Sequence, residues 1–242
     1  MTEPLDVLAI MAHPDDAELL CGGSLAKSSS EGQRVGVLDL TCGEKGSSGS
    51  REIRAKEASA ASAVLGLSVR KNARLPDAAL INNSQAKNIV VEMIRELRPE
   101  AVVTHSLEAR HPDHRNAAQL VYDACFLAGI KKYSAQGKIH RPETVIHSLL
   151  FREELQRPTF VLDITEHIDT KIKAIECFES QFHGKTGAGE VFSGGNRPLI
   201  EQVKVHCAFH GSRIRSEYGE PFWARETPAM SSFTDPNLSS SF

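Results

Sequence analysis

Short apolar runs alternate along the chain with longer segments of mixed polar and apolar composition, which predicts strands and helices in turn. The first apolar run, at residues 5–11, has the composition of a strand buried on both faces of a parallel sheet. Because single helical segments connect successive strands, the pattern indicates βαβ units with right-handed crossovers. The predicted strands are 5–11, 34–40, 69–75, 101–105, 144–151 and 159–164, and the predicted helices are 17–31, 51–65, 84–98, 114–127 and 168–182.

The predicted fold class is therefore α/β, a Rossmann-like fold of three layers with a mostly parallel sheet and helices on both faces. We expect a single domain over residues 1–230, with a polar, glycine-rich loop at 184–198, and a flexible C-terminal tail over residues 231–242. In open α/β sheets, ligands bind beyond the carboxyl ends of the strands. A functional site, including any metal site, is expected at that edge of the sheet.

The composition excludes several classes of protein. The 242 residues include 28 Lys and Arg and 31 Asp and Glu, a net charge of −3, so no overall positive field exists to attract nucleic acid or an anionic membrane. No apolar run approaches the ~18 residues that a membrane helix needs. The five cysteines form no Cys-x-x-Cys pair and the N-terminus has no basic segment, so we expect free thiols in a cytoplasmic protein.

A first group of metal-binding residue types, His13, Asp15 and Asp16, directly follows the first predicted strand. Pro14 holds the backbone of this segment away from helical geometry, so the side chains can spread from a turn. A histidine and a carboxylate suit a divalent metal such as zinc, and a carboxylate that does not bind the metal can accept a proton from water. The alternative is that one of the aspartates caps the following helix.

A second group, His111, Asp113 and His114, follows the strand predicted at residues 101–105 and again precedes a helix. A parallel sheet brings both groups to the same edge. One histidine and one aspartate from the first group, with one histidine from the second, would give three protein ligands and leave a fourth position open, as in catalytic zinc sites. The alternative is a pair of surface histidines without a ligand.

These residues carry a resemblance to a known family. The two motifs, residues 12–16 and 111–114, look like those of the PIG-L (LmbE-like) zinc-dependent N-deacetylases. The resemblance extends to Phe222, over nearly the whole chain, and is strongest to the bacillithiol-biosynthesis branch, which removes acetyl from N-acetylglucosaminyl-malate. The other similar segments are Leu40-Thr41-Cys42-Gly43-Glu44, Gly49, Glu52-Ile53-Arg54, Leu75-Pro76-Asp77, Glu179-Ser180-Gln181-Phe182 and Glu217-Tyr218-Gly219-Glu220-Pro221-Phe222.

The resemblance implies a cofactor and its ligands. His13, Asp16 and His114 would bind one Zn²⁺ per chain, and a site of two histidines and one aspartate also accepts iron(II), cobalt or manganese. Asp15 would be the general base that takes a proton from the zinc-bound water.

The resemblance also implies an acid and a mode of assembly. His111 would stabilise the oxyanion or protonate the leaving amine, and Asp113 would orient it. The partner would be a small amino-sugar substrate. The family often forms trimers or hexamers, so a homo-oligomer is expected.

Four residues are predicted to contact the substrate: Glu44, Arg54, Arg110 and Tyr218. The resemblance implies this role for Arg54, which belongs to the family's Glu-Ile-Arg segment. Glu44 and Arg110 could instead be charges on a solvated loop. Tyr218 and Glu220 would line the sugar pocket or pack structurally.

The chain departs from the family pattern at three positions. Cys42 and Ser48 stand where related sequences often have arginine, and Leu199 falls where some members have a tyrosine that assists the oxyanion. No catalytic tyrosine is therefore assigned. Lys45, Arg51, Arg54 and Arg110 are the basic residues left to meet a substrate carboxylate.

Four other functions compete with this interpretation of the pattern. The same site could serve an amidase that cleaves thiol conjugates, or a deacetylase of another glycoside or of an antibiotic precursor. A nucleotide-binding Rossmann protein is a different class, but Cys21-Gly22-Gly23-Ser24 is not a G-x-G-x-x-G motif and lies too far into its helix. A binding protein with a decayed site would lack a ligand or the base, and all of them are present.

Overall fold

The computed structural model describes residues 3–46, 48–149, 157–183, 197–229 and 231–232. Within these ranges the chain alternates between strands and helices. The strands are β1 (Val7–Met11), β2 (Val35–Thr41), β3 (Val69–Leu75), β4 (Ala101–Thr104), β5 (Thr144–Ser148), β6 (Phe160–Asp163) and β7 (Gly219–Ala224). The helices are α1 (Asp16–Ser30), α2 (Arg51–Leu65), α3 (Ser84–Leu97), α4 (Pro112–Ala128), α5 (Ile168–Glu176), α6 (Glu179–Phe182) and α7 (Leu199–Ser212), with a short 3-10 helix at Thr165–His167.

The seven strands form one sheet in the order β3-β2-β1-β4-β5-β7-β6. The pairings among β1 to β5 are parallel, and β7 runs antiparallel to both β5 and β6. The predicted α/β fold, with its mostly parallel sheet and its helices on both faces, is confirmed. The carboxyl ends of β1, β2, β3 and β4 consequently lie along one edge.

The two faces of the sheet carry separate hydrophobic cores. Along β1, Leu8 and Ile10 pack with α3 and α4, whereas Ala9 and Met11 pack with α1 and α2 and with Phe178, just after α5. Successive side chains of a strand point to opposite faces, so a strand covered on both sides must be apolar throughout. This is why the first apolar run shows no polar alternation.

Side-chain caps and left-handed glycines set several helix boundaries. Ser50 accepts a hydrogen bond from the Ile53 N–H at the start of α2, and Gly66, at φ 67°, ends the helix. Asn83 accepts from the Ala86 N–H in the same way at the start of α3. The limits of α2 are those predicted, because both signals are local in the sequence.

The C-terminal third differs from the prediction. The helix expected over residues 168–182 is two helices, α5 and α6, separated at Phe178, whose ring is buried among α1, α2 and the sheet. Helix α7 and strand β7 were not predicted. Pro221 lies inside β7, and a proline argues against an interior strand when only the sequence is considered.

The predicted loop at 184–198 and the tail at 231–242 lie mostly outside the described residues, so both stay predictions. In the part of the chain that is described, no helix combines the length and the apolar character required to cross a bilayer.

The burial of Phe178 leads to a stability prediction. Phe178→Ala should lower the free energy of unfolding by ~3–5 kcal/mol, because it removes a fully buried ring and leaves a cavity between two helices and the sheet. Phe209→Ala is the control, since that ring is 55% exposed and a surface change costs about 0.5 kcal/mol or less. Urea denaturation of both variants measures the difference; equal losses would contradict this account of the break between α5 and α6.

Candidate active site

The side chains of both predicted motifs meet at the carboxyl edge of the sheet. His13, Asp15 and Asp16 follow β1, and residues 111–114 join the loop after β4 to α4. A third carboxylate, Asp77, follows β3 and reaches the same place. The edge therefore collects residues from three strand ends, one more than the sequence analysis used.

Neither aspartate of the first motif caps α1 with its side chain. Asp15 is the N-cap residue, but its carboxylate makes no capping hydrogen bond. Its backbone has φ 114°, a conformation rare for a residue with a Cβ. Asp16 is the first residue of α1, and its Oδ2 accepts from the His13 N–H at 2.8 Å. The capping alternative is thus wrong, and the strained turn directs both carboxylates into the site.

His13, Asp16 and His114 form a triangle whose size suits a metal ion. His13 Nδ1 lies 3.3 Å from Asp16 Oδ2 and 3.3 Å from His114 Nε2, and His114 Nε2 lies 3.3 Å from Asp16 Oδ1. Tetrahedral zinc with ligands at 2.0–2.1 Å holds them about 3.3 Å apart. Two nitrogens and one oxygen at this spacing could hold a divalent cation, and these are the three residues predicted as its ligands.

The other nitrogen of His13 is held by two carboxylates. Its Nε2 lies 3.1 Å from Asp77 Oδ1 and 3.4 Å from Asp113 Oδ2. A proton on Nε2 satisfies these acceptors and leaves the Nδ1 lone pair for a metal, an arrangement common behind metal-binding histidines. Asp77 is itself fixed by the backbone N–H groups of Lys45 and Ala78, at 2.6 and 2.8 Å.

The electrostatics of this group favour a cation. Burial alone would lower the pKa of His13, but hydrogen bonds with Asp113, Asp16 and Asp77 raise it well above its usual value. Burial would raise the pKa of Asp77, yet hydrogen bonds from His13 and from the Lys45 N–H lower it to about 2. The carboxylates thus stay ionised around one imidazole, leaving a surplus of negative charge that a divalent ion would balance.

Asp113 occupies a different position from the one expected. Its carboxylate faces His13 and accepts from the Ala78 and Leu80 N–H groups at 2.8 and 3.2 Å. The contact with His111 is made by the Asp113 backbone N–H, which donates to His111 Nδ1 at 3.2 Å. Asp113 therefore orients His111 through its main chain, and its carboxylate orients His13.

His111 lies beside the triangle. Its ring is 4.7 Å from that of His114 and 5.0 Å from that of His13, centroid to centroid. Burial, with His114 and His13 nearby, lowers the pKa of His111. Because Nδ1 accepts a hydrogen bond, the neutral ring carries its proton on Nε2, where it can be donated.

Arg54, a predicted substrate contact, is buried beside the first motif. Its side chain is 4% exposed, and its Nη2 donates to the Pro14 carbonyl and, at 2.9 Å, to Asp15 Oδ2. A Cβ on Gly43 would lie 2.9 Å from the guanidinium carbon, so that glycine leaves room for it. Arg54 positions Asp15, and its role as a substrate contact stays a prediction.

The ionisation of Asp15 reflects competing influences. Burial raises the pKa of its carboxyl to about 7, with Arg54 lowering it and Asp16 raising it further. A carboxylate with a pKa near the working pH can both take up and release a proton.

The other predicted substrate contacts are spread more widely. Glu44 and Arg110 are exposed, and Glu44 pairs with Arg51 at 3.5 Å. Tyr218 packs on the third core cluster, formed by Ile164, α5 and α7, and its carbonyl accepts from the Ile164 N–H. None of the contacts described for these side chains reaches the triangle.

His105 lies under the triangle and was not predicted as a site residue. It directly follows β4, is fully buried, stacks on His114 at 4.1 Å, and its Nε2 accepts from the Ala12 N–H at 2.8 Å. That bond uses the Nε2 lone pair, so His105 supports the ligands without joining them. Its position at a strand end was the available signal, as it was for Asp77.

A family model described as PIG-L, GlcNAc-PI de-N-acetylase, matches residues 8–125, the part that contains both motifs. The chain belongs to the PIG-L family. This confirms the family resemblance. Relatives named as deacetylases support the prediction of a hydrolytic enzyme. The matched segment runs from β1 to α4 and includes every residue of the triangle.

Solved and curated relatives match most of the chain. The crystal structure of the conserved protein TT1542 from Thermus thermophilus is 34% identical, with a TM-score of 0.85, and the match covers 95% of this chain and 99% of that one. A diacetylchitobiose deacetylase of Thermococcus kodakarensis is 27% identical over 73% of this chain and 70% of its own. A 4-oxalmesaconate hydratase of Pseudomonas putida is 28% identical over 75% and 76%.

The support of His13 by Asp77 leads to a prediction about metal binding. Asp77→Asn should weaken Zn²⁺ binding about 10- to 100-fold, because an amide holds the His13 Nε2–H less strongly than a carboxylate does. Asp163→Asn is a matched control, since Asp163 also accepts from a backbone N–H, that of Thr165, but lies on β6. Chelator competition gives both affinities; an unchanged affinity in Asp77→Asn would show that His13 does not need this partner.

Proposed function

We propose that the protein is a metal-dependent N-deacetylase that removes the acetyl group from an N-acetylglucosamine conjugate. The observation that carries the proposal is the triangle of His13, Asp16 and His114, with a buried carboxylate, Asp15, and an imidazole, His111, beside it. Hydrolysis of an amide needs an activated water, a polarised carbonyl and a proton for the leaving amine. The triangle could hold a metal ion that activates water and polarises the carbonyl, and Asp15 and His111 are the groups that handle protons beside it.

The donor set and its spacing fit Zn²⁺, with iron(II), cobalt or manganese as alternatives. When bound, the ion would polarise the acetyl carbonyl and lower the pKa of water at the site. His13 and His114 would hold it with nitrogen, and Asp16 with oxygen.

Asp15 accepts the proton of the attacking water. Because burial raises the pKa of Asp15, its carboxylate takes up a proton readily. The ion pair with Arg54 holds the carboxylate in one orientation. Water adds to the acetyl carbon, and the carbonyl oxygen takes up the negative charge. Because Arg54 is itself buried, thermal motion of the base is restricted where the proton must be transferred.

His111 acts on the other side of the reaction. As a neutral ring with the proton on Nε2, it donates a hydrogen bond to the developing oxyanion, an interaction commonly worth ~3–4 kcal/mol. When the carbon–nitrogen bond breaks, the amine nitrogen takes up the proton that Asp15 accepted from water. The products are the free amino sugar and acetate.

The substrate we propose is N-acetylglucosaminyl-malate, as in bacillithiol biosynthesis. The family resemblance supports it, and the deacetylase among the relatives acts on an N-acetylated sugar according to its name. Lys45, Arg51 and Arg110 are exposed and could meet the malate carboxylates. Another N-acetyl glycoside or a thiol conjugate would use the same reacting groups.

The hydratase relative supplies a second candidate of a different class. It is as similar to this chain as the deacetylase is, and adding water across a carbon–carbon double bond would also use an activated water. The two reactions differ in the bond attacked, so a direct assay separates them.

We also propose that the enzyme works in the cytoplasm as a homo-oligomer. All five cysteines are free thiols, which is consistent with a reducing compartment. The trimer or hexamer expected from the family resemblance stays a prediction that light scattering of the purified protein checks.

The first experiment measures acetate release from N-acetylglucosaminyl-malate by protein stripped of metal and refilled with Zn²⁺. We expect release that depends on the metal and is faster than from N-acetylglucosamine. The control follows loss of ultraviolet absorbance by 4-oxalmesaconate under the same conditions. Hydration without acetate release would reject the deacetylase in favour of the second candidate, and release from the free sugar alone would move the substrate elsewhere.

The role of Asp15 gives a separate prediction. Asp15→Asn should keep its metal and lose kcat by ~10²- to 10⁴-fold, because an amide cannot accept the proton from water. Asp123→Asn, on the outer part of α4, is the control and should retain both. Metal content and steady-state kinetics are measured together; turnover equal to that of the unaltered enzyme would remove Asp15 from the mechanism.

A further inference from the structure

Helix α1 is broken in its middle. Cys21 has φ −140° and ψ 17°, outside the helical region, so two helical segments meet there at a kink. The break lies in Cys21-Gly22-Gly23-Ser24. This glycine-bearing segment is not a nucleotide-binding motif and has no role in the proposed reaction. A break interrupts the ladder of hydrogen bonds and leaves carbonyls before it and N–H groups after it in need of partners.

A lysine from α5 serves the carbonyls before the break. Lys171 is 1% exposed, and its Nζ donates to the Glu18 carbonyl at 3.0 Å and to the Leu19 carbonyl at 2.7 Å. In an unbroken helix the Leu19 carbonyl would accept from the Gly23 N–H. The ammonium group therefore takes the place of backbone donors.

A glutamate from β7 serves the N–H groups after the break. Glu220 is also 1% exposed, and its carboxylate accepts from the Gly23 N–H at 3.0 Å and from the Ser24 N–H at 2.7 Å. Lys171 Nζ and Glu220 Oε1 are 2.7 Å apart. The Lys171–Glu220 pair thus bridges the two segments of α1, each partner holding one side of the break.

A neighbouring element requires the glycine at position 23. A Cβ on Gly23 would lie 2.7 Å from Ile164 Cδ1, closer than real contacts allow, whereas one on Gly22 would meet the Lys171 side chain at 3.5 Å, an ordinary van der Waals distance. The motif therefore belongs to the packing around the break and is not a phosphate loop.

We propose that Lys171 and Glu220 are positioning residues for the metal site, an inference that rests on the proposed function. The segment before the break begins with Asp16 and follows Asp15, so its direction sets where both carboxylates lie. A buried ion pair is poor evidence for stability, because desolvation of the two charges offsets their attraction. The pair instead fixes the angle between the two segments of α1, because it binds the two carbonyls and the two N–H groups that the break leaves without helical partners.

Two variants test the pair. Lys171→Met keeps the length of the side chain and removes the ammonium, and the milder Glu220→Gln keeps the shape but removes the charge and one acceptor. The control for lost stability is Ile94→Ala, in the core on the other face of the sheet. The control for losing a lysine–glutamate pair is Lys71→Met, whose partner Glu96 lies at 2.5 Å on the surface.

Two measurements are made on the full-length protein. Chelator competition gives the Zn²⁺ affinity, and the absorption spectrum of the Co²⁺-substituted protein reports ligand geometry. Hydrogen exchange of a peptide covering residues 17–24, in metal-free protein, reports order at the break. We expect both variants to bind Zn²⁺ about 10- to 100-fold more weakly, to alter the Co²⁺ spectrum and to exchange faster in this peptide than either control.

The outcomes separate this inference from the proposed function. If both variants match Ile94→Ala in exchange at residues 17–24 and in metal affinity, the pair is only structural and the inference is overturned. If the unaltered protein binds no divalent metal, the proposed function fails, and with it the positioning of a metal site. Faster exchange in that case would leave the pair as the bridge of the helix break alone.

Discussion

The imidazole of His13 is the group on which the geometry of the site depends. One of its nitrogens faces Asp16 and His114, and the other lies between the carboxylates of Asp77 and Asp113. Because these partners come from the ends of β1 and β3 and from the start of α4, the ring ties three loops together at the carboxyl edge of the sheet. A change in any one carboxylate would alter the tautomer or the tilt of the ring, and with it the position of the Nδ1 lone pair.

The first half of α1 is held by three cations from three different elements, two of them, Arg54 and Lys171, buried. Arg54 of α2 contacts Asp15 and the Pro14 carbonyl, Arg70 of β3 pairs with Glu18 at 2.5 Å, and Lys171 of α5 binds two carbonyls before the break. Arg70 also joins Asp39 of β2 at 2.8 Å. Such charges are costly to bury, so their concentration on one turn indicates that the position of that turn matters more than the stability it contributes. This agrees with a strained Asp15 at its start.

Much of the fold was predictable because its signals are local. Apolar runs marked β1, β2, β4, β5 and β6, and Gly66 marked the end of α2. The C-terminal third was less predictable: Phe178 breaks the helix expected there because its ring enters a core made by α1, α2 and the sheet. Strand β7 contains a proline, so its sequence does not predict a strand, yet it pairs with β5 and β6 on its two sides. Tertiary packing outweighs propensity at these places.

The sequence by itself determined that the residues of the two motifs gather at the site, because parallel strands bring the segments that follow them to one edge. It also determined the residue types, two histidines and an aspartate at metal-ligand spacing. Only the tertiary structure decided which atom faces which. Arg54 pairs with Asp15, the Asp113 carboxylate lies beside His13 Nε2, and Lys171 reaches carbonyls 152 and 153 positions away in the chain. Such contacts depend on how helices and strands pack together, and no local pattern encodes them.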